Sequence, residues 1–227
     1  MKTSLLISVL ALSAFTITQA QPWASAGATW HYSVQGYARE GYTKLTNIKD
    51  TIISGKACNV LQKYTEVYDF INQNTITETT LQYTYEDSNK VYYYVNNHFS
   101  LLYNFNATAG SIWLTEFDTT NSVQNCNQYL DTIMVDSVKT EMINGVALRK
   151  LYVHVTRNNY TYNDQIIEKI GSLIYMFPTP SYCNVIVEVG ISPLRCYTDS
   201  AGFNFQTNPS TWNYNNNVNN ACDFVTA

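Results

Sequence analysis

Apolar and polar residues alternate with a period of two along most of this chain, the pattern of half-buried β-strands. The clearest case runs from Val135 to Val155. Leu151, Val153 and Val155 form one face there, while Lys150, Tyr152 and His154 form the other. Asn144-Gly145 divides the stretch, and an Asn-Gly pair tolerates the positive φ that a two-residue type I′ hairpin turn requires at both positions. Ile48 to Leu61 follows the same plan around Ser54-Gly55. Gly55 and Gly145 lie 90 residues apart, and Lys49, Ile53 and Leu61 recur at that offset as Lys139, Ile143 and Leu151.

Further strands are expected at Thr29 to Val34, Thr75 to Glu86, Lys90 to Val95, Leu101 to Phe105 and Ile112 to Leu114. Asp87-Ser88-Asn89 supplies polar turn residues for another hairpin. In Val91 to Val95, Val91, Tyr93 and Val95 share one face while Tyr92 and Tyr94 share the opposite one. Asn158 to Asp164 reads as a polar connection, and Cys126 to Met134 is the one weak helical candidate. Short strands with regular turn signals predict an all-β protein, an antiparallel hairpin meander closed as a sandwich or open barrel. Its two related halves are expected at 21–118 and 119–227, the second ending in an Asn-rich tail, Asn213 to Asn220.

The N-terminus changes this picture only by subtraction. Lys2, the apolar run Leu5 to Phe15 and the small residues of Thr18-Gln19-Ala20 match a secretory signal peptide over residues 1–20. No later run has the roughly 20 apolar residues of a membrane-spanning helix, so no membrane span is expected. Charged residues make up 13% of the chain, against roughly 25% in an average domain, whereas there are 19 Tyr and 25 Asn. Solubility therefore rests on amides and hydroxyls. A net charge of −4 argues against a nucleic-acid partner, which needs a basic surface.

Five cysteines follow the signal region: Cys58, Cys126, Cys183, Cys196 and Cys222. Export favours pairing, and an odd count leaves at least one thiol free. Cys58, alternating with Val60 on a strand, reads as a small buried hydrophobe. Sequence leaves the connectivity open. A Cys196–Cys222 bridge is the expected pairing, because Cys196 ends a strand and the tail has few apolar residues to hold it down.

Several stretches occur together in order: Ile48-Lys-Asp-Thr-Ile-Ile-Ser-Gly-Lys-Ala-Cys58, Lys90-Val-Tyr-Tyr-Tyr94, Leu101-Leu-Tyr-Asn-Phe-Asn-Ala107, Val135-Asp-Ser-Val138, Ile166-Ile-Glu-Lys-Ile-Gly-Ser-Leu173 and Leu194-Arg-Cys-Tyr-Thr-Asp199. This set resembles the uncharacterised secreted proteins of Bacteroidota that usually carry a C-terminal type IX secretion sorting domain. The resemblance covers most of residues 21–227 and implies export to the surface or the medium. It carries no catalytic residues, and no sorting domain is expected before Ala227. Asp50-Thr51-Ile52, Asp118-Thr119-Thr120, Asp131-Thr132-Ile133, Asp136-Ser137-Val138 and Asp199-Ser200-Ala201 resemble the O-glycosylation acceptors of such proteins.

Candidate chemistry is sparse. There is no His-Glu-x-x-His, Gly-x-Ser-x-Gly, phosphate-binding Gly-rich loop or Cys-x-x-Cys. Glu116 and Asp118 would share a face of a strand, and paired acids can hydrolyse glycosides when burial raises one pKa; a solvated acidic edge is the simpler reading. His154 beside Tyr152 suits a structural hydrogen bond. Trp30 and Trp113 sit in strand patterns and are expected to fill the core. Tyr92, Tyr94, Trp212 and Tyr214 are the candidate binding residues, because exposed Tyr and Trp suit sugar stacking or protein contact. No cofactor or metal site is expected. The function these features favour is non-catalytic binding of a glycan or surface protein outside the cell. A glycan hydrolase using Glu116 or Asp118, and a structural scaffold, are the alternatives.

Overall fold

The computed structural model describes residues 23–36, 38–119, 130–157, 160–178, 189–212 and 221–225. The signal region, Cys126, Cys183 and the whole Asn-rich tail from Asn213 to Asn220, Tyr214 included, lie outside these residues. The strands in chain order are β1 (Thr29–Gly36), β2 (Arg39–Ile53), β3 (Lys56–Asp69), β4 (Asn74–Asp87), β5 (Lys90–Val95), β6 (His98–Asn104) and β7 (Ile112–Glu116). They continue as β8 (Leu130–Ile143), β9 (Val146–Arg157), β10 (Tyr160–Ile167), β11 (Gly171–Ser172), β12 (Val189–Thr198) and β13 (Asn204–Gln206). A single 3-10 turn, Pro209–Thr211, is the one helical element among the described residues. The protein is all-β and antiparallel.

Two sheets face each other. The larger has eight strands in the order β13-β12-β1-β2-β3-β4-β5-β6; the smaller has five, β11-β10-β9-β8-β7. The paired hairpins read from the sequence are β2–β3 and β8–β9, one in each sheet. Ser54 and Gly55 have φ of 49° and 77°, and Asn144 and Gly145 have 48° and 81°, the left-handed pair that type I′ geometry demands. Ser88-Asn89 and Asn96-Asn97 also have positive φ at both positions, which explains part of the asparagine content. The sheets cross the boundary between the halves: β7 joins the smaller sheet, and β12 and β13 return to the larger.

Two local readings change. Leu130–Ile143 is strand, so the weak helical candidate is not helical from Leu130 onward; its β-branched residues pair with β9 and β7 instead. The polar run ending at Asp164 contains strand β10, whose Tyr162 and Ile166 lie opposite Val155 and Leu151 of β9.

The core fills the space between the sheets. Trp30, Tyr32 and Leu45 from the larger sheet meet Val135, Leu151, Val153 and Ile166 from the smaller, all buried. Trp113 is buried with them. Gly171 has φ +87°, and a Cβ there would sit 2.9 Å from the Tyr103 ring. Glycine therefore lets the β10–β11 turn close against the opposite sheet.

The outer face of the larger sheet is also covered, near its β12 edge, by the C-terminal segment. Between β1 and β12 the register shifts beside Arg195, and this bulge presents Arg195 on the outer face. Its Nε donates to Ser33 Oγ (3.0 Å), Nη2 to Gly41 O (2.5 Å) and Nη1 to Phe224 O (2.8 Å). The guanidinium also lies over the Trp212 ring at 5.9 Å. Burial lowers its pKa to about 10, opposed by Glu40 and Asp223, and it stays charged near neutrality. Cys196 and Cys222 form the expected disulfide, while Cys58 is free and buried.

The bridge closes a loop across a sequence separation of 26. From loop-closure entropy it contributes about 3.5 kcal/mol. Replacing both cysteines by serine should therefore lower the unfolding free energy by about that amount, read from denaturant titration of variant and wild type. A change within the error of the titration would mean that Arg195 alone holds the tail.

Candidate functional site

The expected binding residues fall in three different places. Tyr92 and Tyr94 are half-buried on the outer face of β5. Tyr92 stacks on Tyr85 at 4.8 Å with the rings 8° apart, and Phe99 sets its edge against Tyr94 at 5.2 Å. These rings cover one another, so each offers less free face than an isolated tyrosine. Trp212 is corrected: it is 1% exposed rather than accessible. Asn208 caps the short 3-10 turn and folds the segment back, and Trp212 Nε1 donates to Thr207 Oγ1 at 2.8 Å. Tyr214 lies outside the described residues.

Glu116 is engaged by a neighbouring strand. Its Oε1 meets His98 Nε2 at 2.6 Å and its Oε2 accepts from Asn96 Nδ2 at 3.2 Å. That hydrogen bond raises the His98 pKa. Asp118 follows the end of β7, so the two acids are not on one strand face as the spacing suggested. His154 Nδ1 bonds Asp136 Oδ1 at 2.8 Å, the structural role read for it.

Sequence reasoning missed the cavity between the sheets. It has a volume of about 360 Å³ and is lined by Leu102 and Tyr103 on one side, by Ile133, Val155, Ile166 and Asp164 on the other, and by Ile174 to Pro178 along one margin. Pockets of a few hundred Å³ with mainly apolar walls and a few placed polar groups are the usual form of a small-molecule site.

The polar groups follow from strand register. Thr115 of β7 lies opposite Asp131 of β8, Arg157 of β9 opposite Tyr160 of β10, and Val153 opposite Asp164. Asp131 and Arg157 form a two-pronged ion pair with both side chains buried, and Arg157 covers the Phe117 ring at 4.9 Å. A bidentate guanidinium–carboxylate pair satisfies both charges in place. The two carboxylates of the cavity are therefore not free to divide acid and base duty.

Asp164 is different. Its Oδ2 accepts from Ser172 Oγ and its Oδ1 from Gln165 N, both at 2.6 Å. Ser172 Oγ in turn accepts from the N–H groups of Ile174 and Tyr175 at 3.1 Å, which shapes the cavity margin. Burial raises the Asp164 pKa to about 6, and these hydrogen bonds oppose the rise only in part. Tyr32 and Tyr103 lie within reach of its charge and Tyr175 lies next to them, each kept protonated chiefly by burial. Tyr103 Oη accepts from Ser172 N (3.1 Å) and donates to Met176 O (2.8 Å). Among the described residues no cation pairs with Asp164. One signal was available in the sequence: Tyr160, Tyr162, Asp164 and Ile166 alternate, with a carboxylate in an otherwise inward row.

Comparison with protein-family models, curated proteins and solved structures finds no match.

The Asp164 carboxyl has a higher pKa folded than unfolded. Its stabilising share is complete below the unfolded value near 4 and is lost as pH rises through about 6. The ionised carboxylate thus costs about 3 kcal/mol at pH 8. Asp164→Asn, which keeps an acceptor for Ser172, should raise the melting temperature at pH 8 and leave it nearly unchanged at pH 4. Equal effects at both pH values would contradict this assignment.

Proposed function

We propose that this is an exported, non-catalytic binding protein whose ligand occupies the space between the two sheets. The observation that carries the reading is the 360 Å³ cavity, in which aromatic and aliphatic side chains alternate with polar ones such as Asp131, Arg157, Asp164 and Ser172. The signal-peptide pattern, and the resemblance to secreted Bacteroidota proteins, support export to the cell surface or surrounding medium. Catalysis is disfavoured by the engagement of the acids, with Asp131 on Arg157 and Glu116 on His98. A second contact, to a glycan or surface protein, is favoured by the half-buried Tyr92 and Tyr94 on the outer face of β5.

A thermal-shift screen with small organic molecules tests the cavity reading. A ligand present at about 100 times its Kd should stabilise the protein by about 2.7 kcal/mol. Ile174→Trp, at the cavity margin, should abolish that shift while the variant still unfolds cooperatively. Binding that survives Ile174→Trp but is lost in a Tyr92→Ala/Tyr94→Ala variant would move the site to the outer face. Polysaccharide turnover that disappears in Glu116→Gln would replace the binding reading with the hydrolase.

A further inference from the structure

Among the described residues, the inter-sheet cavity holds one acid without an opposite charge. Asp164 lines it and is held by Ser172 Oγ and Gln165 N, both neutral donors. The ionisable groups packed around it are Tyr32 of β1, Tyr103 of β6, Tyr162 of β10 and Tyr175 after β11. All are neutral or, if ionised, negative. Further along the same cavity, Asp131 and Arg157 cancel each other. On the other side Asp164 borders a shallow groove that also includes Asp136, an acid paired with His154. The cavity wall therefore carries, among the described residues, an uncompensated carboxylate and, along the same lining, the tyrosines Tyr103, Tyr162 and Tyr175.

Stability alone does not account for such a group. Asparagine would keep the acceptor for Ser172, and with it the turn that positions Tyr175, without an ionised group to desolvate, at the cost of the one neutral bond from Gln165 N. An aromatic surround next to one carboxylate suits a cation: the ring faces attract it electrostatically, and the carboxylate neutralises it. The apolar remainder of the lining, including Ile133, Val155 and Ile191, suits a short hydrocarbon portion.

Building on the cavity reading above, we propose that the ligand is a small organic cation, an alkylammonium or quaternary ammonium, whose charged head sits against Asp164 and the surrounding tyrosines. A bound cation then favours the ionised form of Asp164 over the protonated one. In the free protein that carboxyl has a pKa of about 6, so affinity should fall as pH drops through that value.

Two isosteric pairs test this: choline against 3,3-dimethylbutan-1-ol, and benzyltrimethylammonium against neopentylbenzene. Each pair differs in charge and hardly at all in shape. Binding is followed at pH 8 and pH 5 through methyl resonances of Ile133, Val155 and Ile191, in wild type and Asp164→Asn. The expected result is that at least one cation perturbs these methyls with affinity about tenfold or more above its neutral partner at pH 8. That preference should shrink at pH 5 and vanish in Asp164→Asn, whose melting temperature shows it to be folded. Neutral probes that bind the same methyls as tightly as the cations would overturn the cation assignment and leave the cavity reading standing. Cavity methyls unmoved by all four probes would overturn both.

Discussion

A buried aromatic side chain with a polar tip usually finds a hydrogen-bond partner, and in this protein four such partners sit across the gap between the sheets, although the buried Tyr32 hydroxyl has none among the described residues. Trp30 of the larger sheet donates to Ile170 O, in the β10–β11 turn, at 2.7 Å. Tyr103 donates to Met176 O, beyond β11, at 2.8 Å, and Tyr93 donates to Glu116 O at the end of β7. In the other direction Trp113 of the smaller sheet donates to Leu102 O of β6 at 3.3 Å. Hydrophobic burial brings two sheets together without specifying direction. These bonds choose one alignment, because sliding the sheets would leave several donors buried and unpaired. The high tyrosine content is thus a structural requirement of the interface as much as a composition.

The same requirement gives the sandwich two unlike ends. At one, aromatic packing is tight: Trp30 meets Tyr197 at 5.0 Å and Trp23 at 5.8 Å. A buried Lys169–Asp199 pair at 2.6 Å closes the side. Burial pushes the Asp199 carboxyl up, but Lys169 and two backbone donors outweigh it and leave it below the ordinary carboxylate range. At the other end, inward positions of β8, β9 and β10 hold Asp131, Arg157, Tyr162 and Asp164. Their polar ends do not interdigitate as aliphatic side chains do, and the cavity lies among them. Polar and charged groups held inward in this way cost folding stability that aliphatic packing would have supplied.

The outer face obeys a related rule. A sheet edge flanked by a short strand such as β13 is a weak point for its exposed backbone groups, and here the C-terminal segment is drawn across β12, β1 and β2. Arg195 reaches carbonyls from β2 and from the tail simultaneously. With the Cys196–Cys222 bridge beside it, the chain end becomes part of the sheet's cover.

By itself the sequence determined the all-β class, the hairpin turns and which side chains share a face. Period-two alternation and paired positive-φ residues are local properties, so Tyr93 inside against Tyr92 and Tyr94 outside could be read directly. Alternation does not say which face is covered, or by what. That is why Trp212, in a polar neighbourhood, proved buried under Arg195, and why Asp164, at the end of a polar run, proved to face inward. Glu116 finds His98 18 residues away, and Tyr103 reaches Met176 73 residues away. Contacts at such separations depend on how the sheets align. Only the tertiary structure, by fixing that alignment through its buried polar tips, decided where a cavity could remain.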